Sequence, residues 1–99
     1  MIMPAYVVVD ISIHDNSEYD EYKKLTPASI EAFGGRFIVR GGKSEILEGN
    51  WQPERLVILE FPSVERVKEW WSSSEYSLAK SIRQRVAYTN MLVIEGVPS

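Results

Sequence analysis

Four charged side chains within predicted strands are the residues of this chain best suited to chemistry. Arg36 and Arg40 lie between two Gly-Gly pairs, and a guanidinium can orient a carboxylate or stabilise a developing anion. Asp10 and Glu60 stand in otherwise apolar runs, where a carboxylate can act as a general acid or base. Additional hydrogen bonds to a small aromatic or keto compound are available from Tyr22, Tyr76, Tyr88 and Asn90.

Composition argues against several other kinds of active site. The chain has no cysteine, which excludes thiol catalysis, disulfides and cysteine-ligated metals. Its one histidine, His14, falls at a predicted turn, so we expect neither a histidine-rich metal site nor a Ser-His-Asp triad. The Gly-Gly pairs lack the spacing and the lysine of dinucleotide- and phosphate-binding loops. We therefore expect no metal and no other cofactor.

Length and charge indicate an ordinary globular protein. Ninety-nine residues suit a single domain, residues 1–99 with a core at about 5–97, that needs neither metal nor disulfide to fold. The net charge of −3 and the lack of a basic cluster argue against nucleic acid as a partner. The apolar runs are too short to cross a membrane and the N-terminus does not resemble a signal peptide, so we expect a cytoplasmic protein.

Hydrophobic periodicity predicts the order strand, helix, strand, strand, helix, strand. This is the ferredoxin-like βαββαβ pattern of an α+β protein with a four-stranded antiparallel sheet. Both helices are expected to break, the first at Thr26-Pro27 and the second at Ser72, which would cap the next segment. We expect the second strand to continue past Gly41-Gly42 through residues 44–48, with a bulge between. The predicted strands are 5–13, 36–48, 56–61 and 88–95.

Alternation along the strands sorts their residues onto two faces, provided that the first strand lies between the third and the fourth. One face is almost wholly apolar and suits burial under helices, and it includes Val9 and Val39. The other face is also largely apolar, so we expect two sheets to face each other in a homodimer. Its polar exceptions form two groups, Arg36 with Glu60 at one end, and Arg40 with Asp10 and Asn90 at the other.

Two interpretations of these polar groups stay open. Buried charges are usually paired, so the groups can be ion pairs that only stabilise the structure. Alternatively, Arg40 anchors an anion in a pocket and Asp10 or Glu60 accepts a proton.

Several segments together resemble the DUF1330 family, a family of unknown function. The resemblance covers nearly the whole chain and is carried by AYVVVDI, FGGRFIVRGG, ILEG, RLVILEFPS, SSEYSLAKSIRQ and LVIEG. The family is placed among the dimeric α/β barrels, which implies a homodimer whose two sheets form a barrel. Cofactor-free monooxygenases and muconolactone isomerase belong to the same superfamily. The positions that look typical of the family are Gly34, Gly35, Arg36, Arg40, Gly41, Gly42, Glu60, Phe61, Tyr76 and Arg83.

Our leading hypothesis is a homodimer that binds a small anionic or aromatic metabolite in a cleft between sheet and helices. The candidate catalytic residues are Asp10 and Glu60, and the candidate ligand-binding residues are Arg36, Arg40, Tyr76, Arg83 and Asn90. One alternative is a cofactor-free monooxygenase or isomerase acting on an activated carbon acid. The other is a non-catalytic structural or interaction protein whose charges fix the register of the dimer.

Overall fold

The computed structural model describes residues 3–98, which form a four-stranded antiparallel sheet and three helices. The strand order β2-β3-β1-β4 places the first strand between the third and the fourth. This arrangement confirms the predicted ferredoxin-like α+β fold, with the second helical segment divided in two. The elements are β1 (Ala5–Ile13), α1 (Asn16–Ala32), β2 (Arg36–Arg40), β3 (Arg55–Phe61), α2 (Val64–Trp71), α3 (Ser74–Val86) and β4 (Ala87–Glu95).

Each helix begins at a polar residue that caps its first turn. The Asp15 carboxylate caps α1 by accepting a hydrogen bond from the backbone N–H of Glu18 at 3.2 Å. Ser63 caps α2 in the same way. The cap of α3 is Ser73, whose Oγ accepts from Tyr76 N at 3.1 Å, so the predicted cap at Ser72 is wrong by one residue.

Helix α1 runs through Pro27 without a break, contrary to the prediction. Proline has no N–H, so the carbonyl oxygen four residues earlier, that of Lys23, loses its helical partner. Nη2 of Arg40 donates to this oxygen at 3.0 Å. The hydrogen bond from β2 compensates for the one that the helix cannot make.

Strand β2 ends at Arg40, and its irregularity lies inside the strand rather than at Gly41-Gly42. Phe37 pairs with Leu59, but Val39 pairs with Ile58, so Ile38 is an additional residue on β2. The predicted continuation through residues 44–48 is wrong, because residues 41–54 contain no strand. Since β3 begins only at Arg55, the chain offers no strand opposite that segment.

The two faces of the sheet differ in burial. The helix face contains Val7, Val9 and Ile11 of β1 and the residues paired with them, and it packs against the helices. The outer face contains Tyr6, Val8 and Asp10 of β1 and the residues paired with them. Outer-face residues are half-buried on β1 and β3 and exposed on β4.

Two adjacent tryptophans show how α2 meets the sheet. Trp70 is fully buried, stacks on Tyr76 at 4.1 Å between ring centroids, and donates from Nε1 to Ser29 at 3.1 Å. Trp71 is 43% exposed. Neighbouring residues on a helix point about 100° apart, which is why one of the two tryptophans packs inward while the other lies at the surface. Within residues 3–98, no helix is long and apolar enough to span a bilayer.

Candidate functional site

An open cleft of about 580 Å³ lies between helices α2 and α3 and the helix face of β4. We call it the sheet–helix cleft. Its size falls within the range of small-molecule sites in proteins. Its apolar wall includes Val7, Val67, Trp71, Met91 and Val93, and its polar residues include Arg83, Gln84 and Thr89.

Arg83 is the charged residue most deeply embedded in the cleft. It is only 4% exposed, and its Nε donates to the phenol oxygen of Tyr76 at 3.2 Å. No carboxylate of residues 3–98 lies within 4 Å of its guanidinium. A buried charge is costly unless it is paired, so a buried arginine without a carboxylate is well suited to an anionic ligand.

A pair of phenols supports Arg83 from behind. The hydroxyl of Tyr76 lies 2.8 Å from that of Tyr22, and both side chains are buried. Burial, followed by the neighbouring Tyr76, raises the pKa of Tyr22 above its ordinary value. The phenol of Tyr22 is therefore neutral at physiological pH and contributes no negative charge that would neutralise Arg83.

Two further cleft residues have features that suit ligand contact. The Oγ1 atom of Thr89 is buried and has no hydrogen-bond partner among residues 3–98. The Trp71 ring lies 3.8 Å below the Nζ of Lys80, which also donates to the Trp71 carbonyl at 2.9 Å. This cation–π contact holds a large flat apolar surface at the edge of the cleft.

A second, enclosed cavity of about 20 Å³ lies between α1 and the helix face of the sheet. Its lining includes Tyr19, Arg40, Arg55 and Met91, and Met91 also lines the sheet–helix cleft. Burial raises the pKa of the Tyr19 phenol, and the nearby guanidinium of Arg55 opposes this rise. Met91 is thus common to the linings of the cleft and of this small cavity.

The structure places Arg40 on the helix face, so the prediction that it joins Asp10 and Asn90 is wrong. The bulge at Ile38 shifts the register by one residue, and Arg40 pairs with Val57. A one-residue slip moves every later side chain to the opposite face. For the same reason Val39, predicted to be in the core, pairs with Ile58 on the outer face.

Asp10 and Asn90 are opposite each other on the outer face, in neighbouring strands. The Asp10 carboxylate accepts a hydrogen bond from the indole Nε1 of Trp51 at 3.0 Å. Asp10 therefore anchors the 41–54 loop, and it does not line the sheet–helix cleft.

Glu60 and Arg36 form the ion pair that the sequence predicts. Arg36 Nη2 lies 2.7 Å from the Glu60 carboxylate, which also accepts from the Tyr6 hydroxyl at 3.0 Å. The hydrogen bond from Arg36, and then that from Tyr6, lowers the pKa of Glu60. Glu60 is thus held ionised on the outer face and away from the cleft.

Of the seven candidate residues, only Tyr76 and Arg83 form a hydrogen-bonded pair at the sheet–helix cleft, where Arg83 lines the cleft and Tyr76 lies behind it. Thr89 and Arg55 were not among the sequence candidates. A signal for Thr89 existed, because it shares strand parity with Met91 and Val93 on β4. Arg55 shares parity with Val57 on β3, which places it on the helix face in the same way. Within the described part of the chain, no group of three or more His, Asp or Glu side chains could hold a metal ion.

Solved structures with this fold include proteins of unknown function and oxygenases. The chain is similar to RPA0582 from Rhodopseudomonas palustris, a protein of unknown function, with a TM-score of 0.78 and 18% identity over 98% of this chain and 85% of that one. It is also similar to SnoaB, a cofactor-independent oxygenase from Streptomyces nogalater, with a TM-score of 0.62 and 8% identity over 100% and 97% of the two chains.

A third similar structure is a putative antibiotic biosynthesis monooxygenase from Nitrosomonas europaea, with a TM-score of 0.57 and 13% identity over 98% of this chain and 93% of that one. Identities this low establish a shared fold and leave activity open. No curated protein matches the sequence. The family pattern described as a domain of unknown function, DUF1330, matches residues 4–97, and the chain therefore belongs to the DUF1330 family.

Proposed function

We propose that this protein binds a small anionic metabolite with a flat apolar body in the sheet–helix cleft. The observation that carries the proposal is Arg83, which is 4% exposed, lines the cleft and has no carboxylate partner within residues 3–98. A guanidinium binds a carboxylate through two parallel hydrogen bonds, and such a bond is stronger where water is excluded. The Trp71 ring and the aliphatic wall would contact the apolar body.

The polar groups of the cleft favour binding over acid–base catalysis. The cleft residues include no carboxylate and no histidine, and Asp10 and Glu60 lie on the opposite face of the sheet. A ligand that arrives as an anion needs no general base. This is why we place binding first.

Cofactor-free oxygenation or isomerisation is the second candidate, and one observation favours it. The guanidinium of Arg83, held by its hydrogen bond to the Tyr76 phenol oxygen, is a preorganised hydrogen-bond donor beside an apolar space. Such a group can stabilise the enolate of an activated carbon acid, which can then react with oxygen or be reprotonated. Oxygen uptake with a quinol substrate that is lost in Arg83→Met would support this candidate.

The binding proposal can be tested with aromatic acids and a matched pair of variants. The probes are benzoate, salicylate and phenylpyruvate, with benzamide as the uncharged control. Their binding is measured by thermal shift and by tryptophan fluorescence. We expect saturable binding of at least one acid and not of benzamide. Arg83→Met should weaken that binding by about 10- to 100-fold, the equivalent of one charge-assisted hydrogen bond.

Arg85→Met is the control, because Arg85 is on the same helix but is exposed and paired with Glu18 at 2.9 Å. It should bind the acid as the parent does. Equal binding by Arg83→Met, or no saturable binding of any acid, would overturn the proposal.

We also propose that two chains pair through their outer faces. In support, Ile38, Leu92 and Ile94 are 45%, 58% and 56% exposed on that face, and the half-buried Val8 and Ile58 lie on the strands between them. An exposed apolar surface of this kind marks an interaction site. The Arg36–Glu60 pair would then fix the register between the subunits, which is the role that the structural alternative assigns to it.

A further inference from the structure

The arginines of this chain divide into two sets according to their partners. Three are paired with carboxylates at the surface. The other three line the sheet–helix cleft or the small cavity beside α1, and no carboxylate of residues 3–98 lies within 4 Å of them. The paired set is Arg36, Arg66 and Arg85, and the second set is Arg40, Arg55 and Arg83. Arg83 belongs to the sheet–helix cleft, so Arg40 and Arg55 remain to be explained.

Arg55 is held against the sheet in an unusual environment. Its Nε is buried and has no hydrogen-bond partner among residues 3–98. Its guanidinium carbon lies 5.7 Å from the centre of the Tyr19 ring, and its Nη1 lies against Gly41, where a Cβ would overlap it. Gly41, with φ +73°, therefore leaves room for the guanidinium.

Arg40 meets the same enclosed cavity from the neighbouring strand. Nη2 of Arg40 donates a hydrogen bond to the Lys23 carbonyl that Pro27 leaves free. The guanidinium carbon of Arg40 lies 4.2 Å from the centre of the Phe37 ring. Within residues 3–98, the only other cation lining the cavity is Lys23, which is 3.5 Å from Asp20. Arg40 is an exposed residue, so ions from solvent can reach its side of the cavity. Two guanidinium groups that line one small cavity favour an anion there.

We propose that Arg40 and Arg55 bind a small monoanion at this cavity, either a halide or the carboxylate of a very small acid. The cavity of about 20 Å³ has room for roughly one water-sized group, which excludes larger anions from its interior. The site shares no arginine with the sheet–helix cleft. The proposed anion site can therefore be tested independently of the proposed function.

Chloride and formate are suitable probes, with ³⁵Cl NMR line broadening and thermal unfolding as two readouts. We expect chloride to broaden the ³⁵Cl signal saturably and to raise the Tm by about 4 to 8 °C at about five times its Kd. Formate that displaces chloride would indicate one halide and carboxylate site. Formate that raises the Tm without chloride broadening would indicate a site for carboxylates alone.

Three variants decide the assignment. Arg55→Met and Arg40→Met should each lose at least tenfold in anion affinity, while Arg66→Met, which removes an exposed paired charge, should keep the parent response. Arg83→Met should also keep it, which separates this site from the cleft. Gly41→Ala should also lower the anion affinity, because its Cβ displaces the Arg55 guanidinium although both arginines are still present. The proposal is overturned if Arg55→Met and Arg66→Met respond alike, or if the parent shows no saturable effect of either anion.

Discussion

Among single residues, the chemistry of this protein centres on a buried chain of polar groups. Tyr22, Tyr76 and Arg83 are hydrogen-bonded in sequence, and none of them contacts a carboxylate. These three residues keep a positive charge beside an apolar cleft, and the stability of the fold depends on the Tyr22 phenol remaining protonated.

Tyr22→Phe should therefore change how stability responds to alkaline pH. The pKa of Tyr22 is raised in the folded state, so its contribution is complete below the unfolded-state value of about 10 and decreases as pH rises above it. Above about pH 10, the free energy of unfolding of the parent should fall more steeply than that of Tyr22→Phe. The difference in slope should be about 1.4 kcal/mol per pH unit.

Urea denaturation between pH 7 and 11 measures this slope. At pH 7 we expect Tyr22→Phe to cost about 1 kcal/mol, the value of one lost hydrogen bond. Tyr88→Phe is the control, because Tyr88 is 77% exposed on β4. Parallel curves for the parent and Tyr22→Phe above pH 10 would contradict this account.

Sequence reasoning predicted residue pairs only where the strand register is regular. Arg36 and Glu60 are directly opposite in adjacent strands, so parity alone brings them together. Arg40 lies two residues beyond the Ile38 bulge, and no sequence pattern here identified that position. Arg83 was a candidate, but its place behind the cleft depends on how α3 packs against α1, which strand alternation does not determine.

Among elements, Gly34-Gly35 joins α1 to β2 and Gly41-Gly42 joins β2 to the 41–54 loop, and the glycines are needed for different physical reasons. Gly34 and Gly41 have φ of +79° and +73°, a backbone conformation that side chains disfavour. Gly35 is needed for space, because a Cβ there would lie 2.7 Å from the Phe61 ring and 2.8 Å from Ile30. Gly42 has nothing within 4 Å of the position of its Cβ.

Gly35→Ala and Gly42→Ala consequently make a matched pair. We expect Gly35→Ala to lower the free energy of unfolding by about 1 to 3 kcal/mol, since the added methyl overpacks the core. Gly42→Ala should change it by less than about 0.5 kcal/mol. Urea denaturation of both variants provides the comparison, and equal effects would show that the contact at Gly35 does not decide the outcome.

Element boundaries were predictable where a local signal acts alone. Strand β1 covers the predicted residues 5–13, a run of strand-forming side chains, and the local Asp15 cap marks the start of α1. The break expected at Pro27 is wrong because a residue distant in sequence, Arg40, satisfies the carbonyl that proline leaves free. Tertiary contacts of this kind override local propensity and cannot be deduced from it.

In the whole molecule, a single layer of helices covers one face of the sheet. The principal extents are 40 × 37 × 16 Å, so the chain is thin in the direction that crosses the sheet. The outer face carries Trp51 on Asp10 at one end and exposed apolar residues along β4. This thin shape supports the proposed homodimer, because the sheet of a second chain would cover the outer face that no helix of residues 3–98 covers.

Ile94→Glu is the variant that tests this pairing. A charge within an apolar interface is costly to bury, so we expect the parent to be dimeric and Ile94→Glu to be monomeric in sedimentation velocity at the same micromolar concentration. Leu78→Glu is the control, because Leu78 is 63% exposed on α3, outside the sheet. A monomeric parent at that concentration would refute the pairing.

The bulge at Ile38 has a consequence for how this sequence tolerates change. Because of this single added residue, Arg40 lies on the helix face of the sheet rather than on the outer face that is proposed to meet a second chain. Deletion of one residue from β2 would reverse that assignment while leaving the composition almost intact. The number of residues between Arg36 and Arg40, rather than the identity of either arginine, thus determines on which face of the sheet Arg40 lies.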